Sequence, residues 1–201
     1  LQSAPVGFTL QNRINAGLSM EIKSGNYAVP ERKLRFDLPA SFDLGRDKGC
    51  YFIRGANGIG KTSFLEKILI PALDRHNLGY LYIGQDIRIQ LYTLRALLAA
   101  LGHRVMGADA LDILKLWITH STSARIFILD EFDKYFSEYG FIFEWSHTFI
   151  QHYIFVTHHD HDRKPAGIAD EYRTGNLRFD PVPDNGPLKQ VRIIEDPAWQ
   201  S

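Results

Sequence analysis

Lysine and threonine side by side at the end of a glycine-rich run are residues suited to holding a polyphosphate. Here they are Lys61 and Thr62, closing Gly55-Ala56-Asn57-Gly58-Ile59-Gly60-Lys61-Thr62. Glycines let a backbone wrap an anion so that successive N–H groups point inward at it. The lysine adds a mobile cation, and the threonine hydroxyl can ligate Mg²⁺. The flanks agree with this chemistry. Cys50-Tyr51-Phe52-Ile53 is an apolar run that predicts a short buried strand. Residues 63–70, beginning at Ser63, carry apolar side chains at helical spacing and stop at Pro71. Strand, glycine-rich turn and helix are the context a phosphate-binding loop requires, with the helix N-terminus adding its positive dipole end. The expected ligand is a nucleoside triphosphate with Mg²⁺.

Three further stretches carry candidate chemistry. The run Ile126-Phe127-Ile128-Leu129 ends in Asp130-Glu131. An acid there can hold Mg²⁺ through water, and its neighbour can orient or deprotonate an attacking water; the plainer alternative is two solvated loop acids. Gln85 follows a second apolar run just past Gly84, where its amide either meets the metal or the attacking water, or is an ordinary surface group. The run Tyr153-Ile154-Phe155-Val156 leads into Thr157-His158-His159-Asp160-His161-Asp162. Adjacent residues of an extended chain point to opposite faces, so His158 and His159 do not readily share one ion. His158 is better placed as a polar sensor of a terminal phosphate, with metal binding by the cluster as the lesser reading.

Those residues fall at the ends of strands in an alternating pattern. Residues 88–101 predict a helix ending at Gly102, and a second helix is expected to begin at Asp109, a good N-cap. A further helix is expected over 141–152. Four apolar strands alternating with helices predict an α/β fold, a mainly parallel sheet flanked by helices with ligands at the strand C-termini. Residues 6–49 show partial alternation at 8–10, 18–22 and 34–38, separated by Gly17, Ser24-Gly25-Asn26 and Pro30, and predict a small N-terminal antiparallel β layer. One domain over 1–201 is expected: that layer (6–49), the phosphate-loop core (50–160) and C-terminal strands (161–201).

Composition sets the outer limits. Lys plus Arg number 23 and Asp plus Glu 23, giving zero net charge over 201 residues, so no global attraction to nucleic acid or acidic membrane follows. No stretch marks a nucleic-acid surface. The single cysteine, Cys50, excludes an intrachain disulfide and fits a reducing cytoplasm. No apolar run reaches the length of a membrane span, so any membrane association is expected to run through a partner.

The set of motifs resembles the ABC-type ATPase family. Gly55 to Thr62 is similar to its Walker A loop, Ile126 to Glu131 to its Walker B strand with the catalytic glutamate, Gln85 to its Q-loop glutamine, and His158 to its switch histidine. The motifs occur in family order and cover residues 50–160. The resemblance implies ATP held by Gly55, Asn57, Gly58, Gly60, Lys61, Thr62 and Ser63, and Mg²⁺ held by Thr62, Gln85 and Asp130. It implies hydrolysis with Glu131 as general base and His158 beside it, in an ATP-sandwich dimer. Tyr27 sits about where the family places an aromatic ring on adenine, although a turn tyrosine is an equal reading. Partners implied are a transport or DNA-maintenance complex, or a second ATPase chain.

Two departures qualify that picture. The family's Leu-Ser-Gly-Gly-Gln signature is absent, and the corresponding stretch reads Met106-Gly107-Ala108-Asp109-Ala110. Asp109 would bring negative charge towards an opposing γ-phosphate. The span from Gln85 to Asp130 is also short for the family, implying a reduced helical subdomain. Slow hydrolysis and weak dimerisation are the expectation. The competing readings are a small P-loop kinase, with Arg163, Arg173 and Arg178 cast as lid arginines, and an ATP-sensing module without turnover.

Overall fold

Strands that are apolar on both sides need cover on both sides. The computed structural model describes residues 19–121, 123–132, 146, 149–158, 168–183 and 186–195. In chain order its first elements are β1 (Met20–Ile22), β2 (Gly25–Val29), a 3₁₀ turn (Pro30–Arg32), β3 (Leu34–Leu38), β4 (Phe42–Leu44) and β5 (Gly49–Arg54). A helical stretch follows as α1 (Lys61–Phe64), a π turn (Leu65–Leu69) and α2 (Ile70–Arg75). Then come β6 (Tyr80–Ile83), α3 (Ile87–Ala100), α4 (Ala110–His120), β7 (Ile126–Leu129), β8 (His152–Val156), β9 (Arg173–Val182) and β10 (Lys189–Glu195).

The main sheet has eight strands in the order β2-β3-β10-β9-β5-β8-β7-β6. From β9 through β6 every pairing is parallel. β10 runs antiparallel to β9 and parallel to β3, and β2 is antiparallel to β3. Alternation along the strands divides two apolar clusters. Ile53, Ile128, Ile154 and Val156 meet Phe64, Leu65, Leu69 and Leu73 of the first helical stretch. Phe52, Phe127, Leu129 and Phe155 meet Leu94 and Leu98 of α3 and Ile113, Leu114 and Trp117 of α4. Each such side chain taken fully from water contributes roughly 1.5–3 kcal/mol. The result is the expected α/β architecture, helices on both faces of a mostly parallel sheet.

The helix and strand expectations hold closely in this core. Asp86 caps α3 by accepting from the backbone N–H groups of Arg88 and Ile89. Asp109 caps α4 in a reciprocal capping box with Asp112.

Three expectations are corrected. The helix after the phosphate loop does not stop at Pro71 but continues to Arg75. The π turn changes the hydrogen-bond spacing, with the Ile70 N–H reaching Leu65 O, so that the proline, which has no N–H, enters at the start of the next segment. Gly25-Asn26-Tyr27 is not a turn but the first part of β2. The antiparallel strands do not all form a layer before the core either. β1 and β4 make a small two-stranded antiparallel sheet, whereas β2 and β3 extend the main sheet, attached through the C-terminal β10. Residues 8–10 and most of 141–152 lie outside the described residues, and His152 belongs to β8.

Candidate functional site

The loop conformation requires glycine at two places. Gly55 has φ 145°, and a Cβ there would lie 2.8 Å from the Phe179 carbonyl oxygen. Gly60 has φ 112°, and its Cβ would lie 2.8 Å from Leu34 Cδ1. Beneath the loop, Phe36, Phe64 and Phe179 meet edge to face, with centroids 5.4–6.1 Å apart. This aromatic floor holds the start of the helix against β3 and β9. The loop is therefore fixed by close packing from below and open above.

Four parallel strands deliver their C-terminal residues to this loop. The Thr157 N–H donates to Ile53 O at 3.0 Å, and the Asp130 N–H donates to Ile83 O at 2.8 Å, so adjacent strand ends are tied together. Lys61 is buried. Its ammonium donates to Gly55 O at 2.5 Å and Ala56 O at 3.1 Å, and lies 2.9 Å from His158 Nδ1. Lysine is only a donor, so His158 accepts at Nδ1. Beside it, the Gln85 amide donates to Thr62 Oγ1 at 2.7 Å, and Thr62 Oγ1 donates to Asp130 Oδ2 at 2.8 Å. Lys61, Thr62, Gln85, Asp130 and His158, far apart in sequence, thus form two hydrogen-bonded groups joined at consecutive residues.

Asp130 is fully buried. Burial pushes its carboxyl up to about 6, with the Thr62 hydrogen bond opposing that shift. A buried carboxylate, a hydroxyl and a side-chain amide are hard oxygen donors, the kind that suits Mg²⁺. Glu131 has φ 57°, a left-handed conformation, and its N–H donates to Asp130 Oδ1 at 3.1 Å. Such a backbone costs on the order of 1–3 kcal/mol for a residue other than glycine, and strain of this kind concentrates at functional sites. Asp133 and Glu138, the nearest rivals to Glu131 in sequence, lie outside the described residues.

A cavity of about 450 Å³ opens over the loop. Gly58, Gly60, Lys61, Thr62, Ser63, Gln85 and His158 line it. Gly55, Asn57, Asp130 and Glu131 are not on its surface; Gly55 is instead an acceptor for Lys61. Tyr27 does not line it. That ring stands on β2 opposite Phe36, with its hydroxyl donating to Lys23 O at 2.6 Å. Arg32 and Lys33, from the turn between β2 and β3, Leu34, the first residue of β3, and Lys189, at the start of β10, line the cavity in its place. Sequence reasoning missed all four, because Lys189 carries no local motif and the turn was read only as a separator.

The remaining candidates divide cleanly. Arg173 pairs with Asp47 at 3.1 Å and Arg178 with Asp180 at 3.1 Å, both arginines standing within β9. Arg163, His159, Asp160 and His161 lie outside the described residues. Among the described residues no cluster of three or more His, Cys, Asp or Glu could hold a metal ion, and no helix is long and apolar enough to cross a membrane. The stretch 106–110 is an exposed turn, with Met106 90% exposed and Gly107 at φ 75°. Arg95 donates to Val105 O and Ala108 O across it.

No family model matches the sequence, and no curated protein matches it. Solved structures give distant likenesses. The Orc1 protein of Aeropyrum pernix, in complex with DNA, is 17% identical with TM-score 0.45, over 67% of this chain and 40% of that one. The KaiC-like protein PH0186 of Pyrococcus horikoshii is 15% identical with TM-score 0.43, over 76% of this chain and 81% of that one. The DnaC helicase loader is 18% identical with TM-score 0.34, over 58% and 62%. The chain spans less than half the length of the Orc1 chain.

Proposed function

We propose that this P-loop domain binds Mg·ATP and hydrolyses it as an ABC-type ATPase, coupling nucleotide binding to a conformational change in a partner. The observation that carries the reading is the hydrogen-bonded line from Gln85 through Thr62 to Asp130, beside the Lys61–His158 contact. Thr62, Asp130 and Gln85 would hold Mg²⁺, which when bound supplies positive charge to the phosphate oxygens. Lys61 and the loop N–H groups bind and orient the phosphate chain. Glu131 takes the proton of the attacking water from its place at the end of β7. His158 accepts from Lys61 and so holds the ammonium over the loop.

Partner coupling has support on the segment between Gln85 and Asp130. Ile89, Tyr92 and Met106 are 66%, 77% and 90% exposed there. In the ABC family this segment is the helical subdomain that meets the partner in transporters, and apolar exposure of this kind suits a protein contact. The reading places the chain in the cytoplasm. Whether the partner is a transport complex, a DNA-maintenance complex or a second ATPase chain is a matter for co-purification.

The experiment is steady-state phosphate release from ATP with and without Mg²⁺, and with and without small hydroxyl or carboxylate acceptors. Mg²⁺-dependent release of free phosphate, indifferent to acceptors, is expected. Phosphorylation of an acceptor in preference to water would make the protein a kinase. Tight ATP binding with no turnover would make it a nucleotide sensor.

A further inference from the structure

Lys33 and Lys189 face the phosphate loop from the part of the sheet that the ATPase reading leaves unused. Lys189 stands in register with Leu34, and its N–H donates to Lys33 O at 2.9 Å, so the backbone holds the two lysines side by side. Both line the cavity with Lys61. Lys189 Nζ donates to Gly58 O at 3.1 Å, at the tip of the loop, whereas Lys61 holds the loop at Gly55 and Ala56.

Neighbouring cations are matched to acids. Arg32 pairs with Glu66, Lys67 with Glu31, and Arg192 with Asp37. Among the described residues no carboxylate lies within ion-pair distance of Lys33 or Lys189. Two cations lining one cavity attract an anion there, the more so the less water screens them. Lys33 also adopts φ 53°, so the chain accepts a strained backbone at a position where glycine would fit without cost. Two lysines that line the cavity, with no carboxylate partner among the described residues and one of them on a strained backbone, form a site for negative charge.

We propose that Lys33 and Lys189 are a second pair of phosphate-binding cations, closing on the ligand's phosphate chain from the β3–β10 side. The inference rests on the ATP-binding reading and deepens it: recognition is carried by the polyphosphate, which is gripped by Lys61 from the loop and by the lysine pair from the antiparallel strands. The ligand class is a polyphosphate-bearing nucleotide.

Calorimetric titration with ATP and with inorganic tripolyphosphate tests this on the wild type, Lys189→Ala, Lys189→Arg, Lys33→Gly and Lys61→Ala. Lys189→Ala and Lys33→Gly should each weaken both ligands by about tenfold, the usual loss of one charge-assisted contact. Lys189→Arg should bind much as the wild type does. Lys33→Gly should melt no lower than the wild type, which separates lost binding from lost fold. Wild-type tripolyphosphate affinity in both lysine-pair variants, with Lys61→Ala impaired, would overturn this inference alone. A loss confined to ATP would overturn it too, since the lysines would then be reading the nucleoside. If the wild type binds neither ligand, the ATP-site reading falls and this inference with it.

Discussion

The Lys61 ammonium lies 2.9 Å from Nδ1 of His158, which stands 97 residues further along the chain. The contact joins the first residue of α1 to the second residue beyond β8, the strand that lies between β5 and β7 in the sheet. Because the ammonium can only donate, it sets the histidine tautomer, with the ring proton on Nε2. One hydrogen bond thus couples the loop lysine to the strand end beside the acidic pair.

Lys61→Ala removes the cation and all three of these contacts to Gly55, Ala56 and His158. Nucleotide affinity should fall by at least about tenfold, the scale of a hydrogen bond to a charged group, with the circular dichroism spectrum unchanged. Equal ATP affinity in the variant by calorimetry would defeat the phosphate-loop assignment.

Glu131 offers a separation of stability from activity. Glu131→Gln keeps the side-chain shape and should retain ATP binding while losing turnover by roughly 10²-fold or more. Glu131→Gly should lose turnover equally, yet unfold at no lower urea concentration, because glycine adopts φ 57° without the strain that glutamate bears. Turnover at the wild-type rate in either variant would place the base elsewhere.

Asp109 carries a structural duty. Its carboxylate accepts from the Asp112 N–H at 2.8 Å while Asp112 answers the Asp109 N–H, so the acid closes its own helix. Asp109→Ala should cost about 1 kcal/mol of stability, measured as a shift in urea midpoint. With this stretch committed to capping, the isolated chain should dimerise weakly. Sedimentation of Glu131→Gln with and without Mg·ATP checks this, and a tight ATP-dependent homodimer would be the contrary result.

His152 makes stability depend on pH. Its Nε2–H donates to Gly45 O at 3.1 Å, while buried Nδ1 has no hydrogen-bond partner among the described residues. Burial holds the imidazole below its ordinary value of about 6.5, against the smaller effect of the Gly45 bond. Below that ordinary value the unfolded chain takes up a proton that the folded chain refuses, so this group lowers stability as pH falls. The raised Asp130 carboxyl acts in the opposite direction over a neighbouring range, because there the folded chain holds the proton. His152→Gln keeps a donor for Gly45 and removes the titration. The wild type should therefore lose more stability than His152→Gln between pH 7.5 and pH 5.5, read as urea midpoints; parallel losses would remove His152 as the cause.

Short contiguous stretches of the chain encode whatever can be built locally. A glycine-rich turn between a strand and a helix is built from its own backbone, so Gly55 to Thr62 was legible along with the strand before it and the helix after it. Helix starts were legible at Asp109, because a cap needs only its own first turn, and apolar runs placed β5, β7 and β8. The π turn was not, since its spacing is an adjustment that lets Pro71 pass while Leu65 and Leu69 stay in the core. What surrounds the loop follows from long-range pairing of the strands. Lys189 meets Lys33 because β10 runs parallel to β3, and Tyr27 is turned away because β2 pairs with β3 in the register that sets it opposite Phe36. Strand order and register come from which buried faces fit together across the whole sheet. No local pattern in β2, β3 or β10 names its neighbour, so the residues those strands bring to the cavity become visible only once the sheet is assembled.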